Sequence, residues 1–262
     1  MIRRILMPLG CILVLVACAT ETPPEPAETT QAPEATEQAP GFSFLALHLY
    51  NPASDDAHQQ LLAGLGELSQ AVASAGHPET RYRTWKVTGE QDGDYGHLFG
   101  SLWADRATYD AVHEHDDYKA VMTPFEDPGL EALEGEVYNR YELLNSPTTA
   151  PAPMPDSGPT FLSVHLFNLA STDAEKELVG IQEEFNDALS EAGHPETRYA
   201  VWKVTGDQTG DYAYVSGSAW ADRATYDTAH EHPSYKALQE KHEEAYKNLI
   251  GEQIYNKYEL VQ

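Results

Sequence analysis

A block of about 100 residues occurs twice in this chain, and the second copy follows the first at a constant offset of 117 residues. His-Pro-Glu-Thr-Arg-Tyr, at residues 77–82, recurs at residues 194–199. The copies align without a gap from about residue 44 to residue 143, and about half of the aligned positions are identical. Repeats of about 20 to 50 residues indicate a solenoid, whereas a unit of this length is a small domain. The chain is therefore predicted to contain two similar domains, at residues 42–145 and 160–262.

Residues 1–17 have the pattern of a secretory signal, with a basic start, an apolar stretch and a small residue before a cysteine. The apolar stretch is too short to remain as a membrane span. Residues 15–18, Leu-Val-Ala-Cys, resemble the bacterial lipobox, and this resemblance implies cleavage before Cys18 and acylation of its thiol. We therefore expect a lipoprotein of the bacterial cell envelope, anchored in the outer membrane through Cys18 and facing the periplasm.

Two proline-rich segments separate the parts of the chain. Residues 18–41 combine Pro, Glu, Thr and Ala without apolar periodicity, which predicts a disordered tether. Residues 146–159 are also rich in proline and are predicted to be a semi-rigid linker between the domains. The linker is long enough to let the two domains face each other.

The formal net charge of −26 argues against nucleic acid as a partner. The chain has only two cysteines, Cys11 and Cys18. Because Cys11 lies within the signal, we expect no disulfide in the mature protein. Each domain must then be stabilised by its apolar core alone, for which about 100 residues suffice.

Each copy shows the same order of predicted elements. A first strand is followed by a helix that ends at Gly76, with Pro78 just beyond it. Two strands, a helix that is interrupted at Asp116 or Pro233, and a last strand follow. In the first copy these elements span residues 44–50, 56–75, 82–88, 95–103, 106 onward and 137–143, with a turn at 89–93. The order βαββαβ is that of the ferredoxin-like fold.

Side-chain alternation divides each predicted sheet into two faces. Leu45, Leu47 and Leu49 are expected to pack on the helices. The opposite face, which carries His48 and Trp103, is aromatic and partly polar, and a single unit would leave it in water. We therefore predict an α+β fold in which two tandem ferredoxin-like units pair these faces into one intramolecular barrel. The protein would be a monomer with an internal pseudo-dimer.

The run from Trp103 through Tyr109 to His113 resembles the dimeric α+β barrel superfamily and, within it, the antibiotic-biosynthesis monooxygenases. This resemblance implies the barrel fold and an oxygenase activity that needs no cofactor. Related heme-degrading proteins carry an Asn, a Trp and a later helical His, but this chain has Met122 in place of that His. No cofactor is therefore predicted, and heme is disfavoured.

His113 and its counterpart His230 are the candidate catalytic residues. His113 lies four residues after Tyr109 on the same helix face, where it could transfer a proton at the barrel mouth. The alternative is a histidine that packs at the edge between helix and sheet. His113 and His115 lie about 200° apart around a helix and would not chelate one ion, so no metal site is predicted.

The face that is expected to line the barrel supplies the candidate ligand-binding residues. Flat aromatic side chains suit a flat organic ligand, although they equally well fill a barrel. For the two histidines of this face, a hydrogen-bonded core histidine is the alternative. The candidate set is His48, His165, Tyr50, Phe167, Trp103, Trp220, Tyr95 and Tyr212.

Three functions remain open. The first is a non-catalytic envelope lipoprotein that binds a small aromatic or apolar ligand, or a protein partner. The second is a cofactor-independent monooxygenase that acts on an aromatic substrate, with His113 or His230 as the proton-transfer group. The third is a structural subunit of a membrane-associated assembly. The predicted anchor and tether, and the absence of a convincing catalytic set of residues, favour the first or the third.

Overall fold

The structure, a computed structural model, describes residues 41–123, 133–145 and 158–262. The first half, up to residue 145, contains β1 (Phe44–Pro52), α1 (Asp55–Ser74), β2 (Arg83–Val87), β3 (His97–Trp103), α2 (Arg106–His113), α3 (Asp116–Met122) and β4 (Leu133–Leu143). The second half, from residue 158, contains β5 (Phe161–Leu169), α4 (Ala174–Glu191), β6 (Ala200–Val204), β7 (Tyr214–Trp220), α5 (Arg223–Glu231), α6 (Pro233–Leu249) and β8 (Ile250–Leu260). The predicted element order is confirmed in both halves. The predicted signal, Cys18, the tether and most of the linker lie outside the described residues.

The eight strands form one closed barrel in the order β1-β3-β2-β8-β5-β7-β6-β4. Within each half the first strand lies between the third and the last, which is the ferredoxin-like arrangement. The halves meet at two antiparallel seams: β2 pairs with β8, with Trp85 opposite Leu260, and β4 pairs with β6, with Leu143 opposite Trp202. The predicted α+β fold, an intramolecular barrel of two ferredoxin-like units, is therefore confirmed.

The helices cover the outside of the barrel, and α1 shows why they begin and end where they do. Ser54 caps α1, because its Oγ accepts a hydrogen bond from the backbone N of Ala57 at 3.1 Å. Asp55 in the first turn complements the helix dipole. The chain leaves the helix at Gly76, whose φ of 98° favours glycine. The buried apolar side chains of α1 recur every three or four residues, at Leu61, Leu65, Leu68 and Val72.

The barrel interior is filled by the face that the sequence analysis assigned to the helices. Leu47 and Leu49 of the first half share one buried cluster with Val164 and Leu166 of the second. Other members of this cluster are Trp85, Leu98, Tyr141, Trp202, Val215 and Tyr258. The prediction that the leucines of β1 pack on the helices is therefore wrong.

The aromatic face packs on the helices instead. Phe44, Tyr50 and Trp103 are fully buried in a cluster with the apolar side chains of α1, α2 and α3. The second half has the same arrangement, with Phe161, Phe167 and Trp220. An eight-stranded barrel is only just wide enough to be filled by side chains from all sides. Four large aromatic side chains, Trp85, Tyr141, Trp202 and Tyr258, share that interior with the aliphatic residues, and the aromatic rings of the other two buried clusters lie between sheet and helices. The division of each strand into two faces was predicted correctly, but the prediction of which face lines the barrel was wrong.

One turn of each half crosses the barrel end and is held by the last strand of the other half. The side chain of Asn256, in β8, accepts a hydrogen bond from Asp92 N at 2.8 Å and donates one to Asp92 O at 2.7 Å. Asn139, in β4, makes the same two bonds with Thr209, both at 2.7 Å. Gly93 continues the first turn with a φ of 75°, a conformation that glycine adopts without strain. We call the segment between β2 and β3 (residues 88–96) and the segment between β6 and β7 (residues 205–213) the crossing turns.

Candidate functional site

His113 ends α2, which Asp105 begins by accepting a hydrogen bond from the backbone N of Thr108 at 2.7 Å. Its ring stacks on Tyr109, with centroids 3.8 Å apart, and its Nδ1 lies 2.7 Å from the carbonyl oxygen of Tyr109. Because a carbonyl only accepts, Nδ1 carries the hydrogen, and Nε2 accepts from the hydroxyl of Tyr118 at 2.9 Å. Both ring nitrogens are therefore occupied.

Tyrosines extend this network along the helix side of the sheet. The Oη of Tyr118 lies 2.6 Å from that of Tyr82, and the Oη of Tyr109 lies 2.6 Å from that of Tyr138. Trp103 is fully buried and donates from Nε1 to a serine hydroxyl on its own strand at 2.8 Å. We call this group the helix-side cluster of the first half: Tyr82, Trp103, Tyr109, His113, Tyr118 and Tyr138.

The second half has an equivalent helix-side cluster, with Tyr199, Trp220, Tyr226, His230, Tyr235 and Tyr255. As in the first half, Nδ1 of His230 lies 2.7 Å from the carbonyl oxygen of Tyr226. Its Nε2, however, accepts from Tyr199 at 2.8 Å and not from the counterpart of Tyr118. The hydroxyls of Tyr199 and Tyr235 are 2.6 Å apart, so Tyr235 must donate to Tyr199.

Burial lowers the pKa of both candidate catalytic histidines. The pKa of His230 falls to about 4, and that of His113 is also lowered. Each imidazole is therefore neutral at pH 7, as a general base must be. A substrate would have to displace a tyrosine hydroxyl from Nε2 before either ring could take a proton. The geometry is that of a closed hydrogen-bonded network, and the catalytic role stays a prediction.

His48 lies on the helix side of the first sheet. Its ring is stacked between Phe99 and Tyr138, with centroid distances of 4.0 and 4.2 Å, and its Nδ1 is paired with the carboxylate of Glu136. Burial lowers the pKa of His48 even though Glu136 acts to raise it. The ring is thus enclosed by its own half of the protein.

His165 occupies the equivalent position in the second half with different neighbours. It stacks on Tyr255 at 4.2 Å, and its Nδ1 lies 3.3 Å from Oε1 of Gln253. Ser216 stands opposite His165 in the strand pairing, at the position that Phe99 occupies in the first half. Burial lowers the pKa of His165 to about 4. The two histidines therefore share a position but not an environment.

The predicted ligand-binding set is divided between the two sides of the sheet. Tyr50, Phe167, Trp103 and Trp220 are buried between the sheet and the helices, on the same side as the two histidines. Tyr95 and Tyr212, in contrast, pack against the cluster that fills the barrel. The structure does not bring the eight residues together.

Tyr95 and Tyr212 line a cavity of about 450 Å³ at the barrel end that the crossing turns cover. This volume lies within the range of about 300–1,000 Å³ that is usual for small-molecule sites. We call it the barrel-end cavity. Its apolar lining comprises Leu49, Val137, Leu166 and Ile254, and its acidic lining comprises Asp92, Asp94, Asp211 and Glu252.

The charged residues that line the barrel-end cavity are all acidic. Among the described residues that line it there is no lysine, arginine or histidine. The pKa of the Tyr212 hydroxyl is raised, first by burial and then by nearby carboxylates, Glu252 before Asp211. The cavity therefore combines an apolar and aromatic wall with solvent-exposed acidic residues.

Sequence reasoning missed the acidic lining and the asparagines that hold the crossing turns. Asp92, Asp94 and Asp211 belong to segments that read as solvated turns, and nothing local to them indicates which strand they will meet. A usable signal was the repetition of Asn139 as Asn256, a polar residue within an otherwise apolar and aromatic last strand. Buried amides of this kind are normally retained by hydrogen bonds.

Two absences hold for residues 41–123, 133–145 and 158–262. No group of three or more His, Cys, Asp or Glu residues there is arranged to hold a metal ion. No helix formed by those residues is long and apolar enough to cross a membrane. The expectations about heme, metal and the lipid on Cys18 stay predictions.

Two solved structures share the fold of this chain. A proposed monooxygenase from Lactobacillus acidophilus NCFM superposes with a TM-score of 0.54 at 10% identity, covering 84% of this chain and 94% of its own. A proposed monooxygenase from Fusobacterium nucleatum also gives 0.54 at 10% identity, covering 85% and 94%. At this identity the likeness shows the dimeric α+β barrel fold alone. The sequence matches no protein-family profile and no curated protein.

Proposed function

We propose that this protein is a non-catalytic binding protein, anchored in the bacterial envelope through Cys18, whose ligand is a small organic cation with an apolar body. The observation that carries the proposal is the barrel-end cavity of about 450 Å³, which is lined by aliphatic residues, three tyrosines and four acidic residues. The proposal keeps the predicted small apolar or aromatic ligand and adds a positive charge to it.

The lining supports each part of such a ligand. An apolar body would contact Leu49, Leu166 and Ile254, which continue into the packed barrel interior. A positive centre would be attracted by the faces of Tyr95 and Tyr212 and by the surrounding carboxylates. The crossing turns are fixed by paired amide hydrogen bonds, so the cavity is largely preformed.

The two helix-side clusters support binding less well. Their aromatic side chains are buried or half-buried, and the hydroxyls and ring nitrogens described above bond to one another. A ligand there would have to open an existing network, whereas the barrel-end cavity already offers space.

Binding is tested by calorimetric titration of the full-length protein with benzyltrimethylammonium. Neopentylbenzene has the same shape without the charge, and benzenesulfonate carries the opposite charge. We expect the cation to bind at least about tenfold more tightly than the neutral compound, a difference of about 1.4 kcal/mol. Equal affinity for the two would remove the positive charge from the proposal, and no binding of either would remove the site.

Variants localise the ligand. Asp211→Asn combined with Glu252→Gln removes two carboxylates from the lining without changing its shape, and binding of the cation should weaken by about tenfold. Asp207→Asn combined with Glu90→Gln is the matched control, because it also removes two carboxylates but takes them from positions of the crossing turns that do not line the cavity. If the control weakens binding as much as the variant of the cavity lining, the ligand responds to net charge and not to this cavity.

The anchor is tested separately. Cys18→Ser removes the thiol that would carry the lipid, so the protein should leave the membrane fraction or accumulate with its signal uncleaved. A Ser variant that matures and fractionates like the parent would show that Cys18 is not acylated.

A cofactor-independent oxygenase is the second candidate, favoured by one observation: a neutral histidine receives a tyrosine hydrogen bond at Nε2 in both halves. Such an imidazole could accept a proton from an anthrone or a quinol once the tyrosine moves aside. Oxygen consumption with either substrate, lost in His113→Gln combined with His230→Gln, would support this candidate. No consumption by the parent protein would exclude these substrates.

A further inference from the structure

Three side chains of the first half converge where β1 ends, β3 begins and α1 makes its first turn. The rings of His58 and His97 lie 4.9 Å apart, centroid to centroid, at an interplanar angle of 72°. The hydroxyl of Tyr50 lies 3.1 Å from Nε2 of His58. Both histidines are half-buried, so the pair is shielded but remains reachable from solvent.

His97 has a nitrogen that nothing in the described structure satisfies. Its Nδ1 is buried and has no hydrogen-bond partner. Buried polar atoms nearly always have one, because leaving a lone pair or a hydrogen unpaired costs free energy. An unpaired imidazole nitrogen beside a second imidazole is the arrangement that a metal ion completes.

An imidazole binds a metal ion through a ring nitrogen that carries no hydrogen. The Tyr50 hydroxyl can accept a hydrogen bond from Nε2 of His58, and the lone pair of His58 then lies on its Nδ1. In that tautomer His58 offers one nitrogen to an ion beside the unpaired Nδ1 of His97.

The second half has no histidine pair at the equivalent position. Glu175 stands at the position of His58, and Tyr214 at that of His97. The carboxylate of Glu175 accepts from the Tyr214 hydroxyl at 2.6 Å and pairs with the ammonium of Lys203. The charges and hydrogen bonds of that half are therefore satisfied by its own side chains.

We propose that His58 and His97 form a binding site for a divalent transition-metal ion, present in the first half only. At metal–nitrogen distances of about 2.0–2.1 Å, each ring centroid would lie about 3.2 Å from a shared ion, and a separation of 4.9 Å then subtends about 100°. That angle suits tetrahedral and tetragonal coordination alike. Water fills the remaining positions, because the described residues supply no third His, Cys, Asp or Glu. Imidazole pairs favour Cu²⁺ over the other divalent ions of the first transition row.

The test uses the full-length protein without an affinity tag and with the thiols of Cys11 and Cys18 alkylated. Cu²⁺ is added, binding is followed by calorimetry, and electron paramagnetic resonance identifies the ligand atoms. We expect one ion whose spectrum shows coupling to two imidazole nitrogens.

The decisive variant is His58→Glu combined with His97→Tyr, which gives the first half the residues that the second half carries. It should fold, since the second half tolerates both residues at these positions, and it should lose the two-nitrogen signal and weaken Cu²⁺ binding by about tenfold or more. His77→Gln, remote from the pair, is the control and should change neither. Copper that binds the double variant as tightly as the parent, or a parent that binds no copper, would overturn the proposal.

Discussion

The two halves of the barrel repeat many of the residues that join them, and they also repeat the aromatic clusters beneath their helices, but they differ at a few positions on the helix side of the sheet. Several residues that contact the opposite half are the same in both: Trp85 and Trp202, Tyr141 and Tyr258, and Asn139 and Asn256. A pseudo-twofold interface uses the same patch from both sides, so a change in one half must fit the other half as well. The residues that one copy can accept at a seam therefore depend on the residues of the other copy.

A few side chains that meet only their own half differ between the copies. His58 and His97 correspond to Glu175 and Tyr214, and Phe99 corresponds to Ser216. Contact with the opposite half does not always keep a residue the same, since Asp92 and Thr209 differ, yet both bind the opposite asparagine through their backbone groups. At positions that differ between the halves, the fold does not require one particular residue. Such a position can therefore carry a binding or titrating group in one half only.

Removing one half should have the largest effect, because each half covers the inner face of the other. Residues 41–145 alone would expose the aliphatic face around Leu47 and Leu49 and leave β2 and β4 as unpaired edges. We expect this fragment to dimerise or aggregate, and sedimentation velocity will show it. Adding residues 158–262 should restore a soluble heterodimer, and a monomeric, soluble first half would contradict the prediction.

The two helix-side clusters contain equivalent tryptophans, so equivalent substitutions should lower the free energy of unfolding equally. Trp103→Ala and Trp220→Ala each remove a fully buried indole that bonds a serine on its own strand, at 2.8 and 2.7 Å. Each should lower the free energy of unfolding by about 3–5 kcal/mol in urea denaturation. Trp→Phe at the same positions serves as the milder control. Losses that differ between the halves by more than about 1 kcal/mol would show that the two helix-side clusters are not equivalent.

The pH dependence of stability should come more from His230 than from His113. A histidine with a folded pKa of about 4 remains neutral in the folded protein while the unfolded chain takes up a proton near pH 6.5. Stability therefore falls as the pH drops from about 6.5 to about 4, and the melting temperature should decrease by a few degrees. His230→Gln should flatten this slope more than His113→Gln. An identical slope in both variants and the parent would contradict the burial of a neutral ring.

The smallest effect is expected at the partly exposed ion pair. Lys203→Ala breaks the contact with Glu175 in the second half and should cost about 0–1 kcal/mol, since solvent screens the pair. Lys86→Ala removes the corresponding ammonium beside His97, so it should raise the pKa of His97 and leave the melting temperature almost unchanged. Measuring both variants by thermal unfolding and ring titration distinguishes the roles of the two lysines.

The sequence predicted the barrel because the repeat, the βαββαβ order and the alternation are all local signals. It did not predict which side of each strand faces inward, since Leu47 and His48 alternate equally well in either orientation. That choice depends on how all eight strands close into one barrel, which no single strand encodes. The resemblance to known barrels carried the fold but not a ligand.

The site was harder to foresee for a related reason. Tyr95 and Tyr212 were identified as ligand-binding candidates and do line the cavity, although the face argument that selected them was inverted. Glu252 and Asp92 reach the same cavity from different halves, and His58 meets His97 only because α1 lies across the sheet. Such meetings are set by tertiary topology, and no spacing along the chain encodes them.

The seam between β2 and β8 also fixes an order of events when the chain is made. Asp92 and Asn256, which hold one crossing turn, are 164 residues apart. At about 5–20 residues per second, the first half waits on the order of 10 s for its partner strand to be synthesised. Throughout that interval an identical first half on a neighbouring nascent chain is a competing partner. Synthesis rate and copy number, and not stability alone, thus determine how many chains close upon themselves.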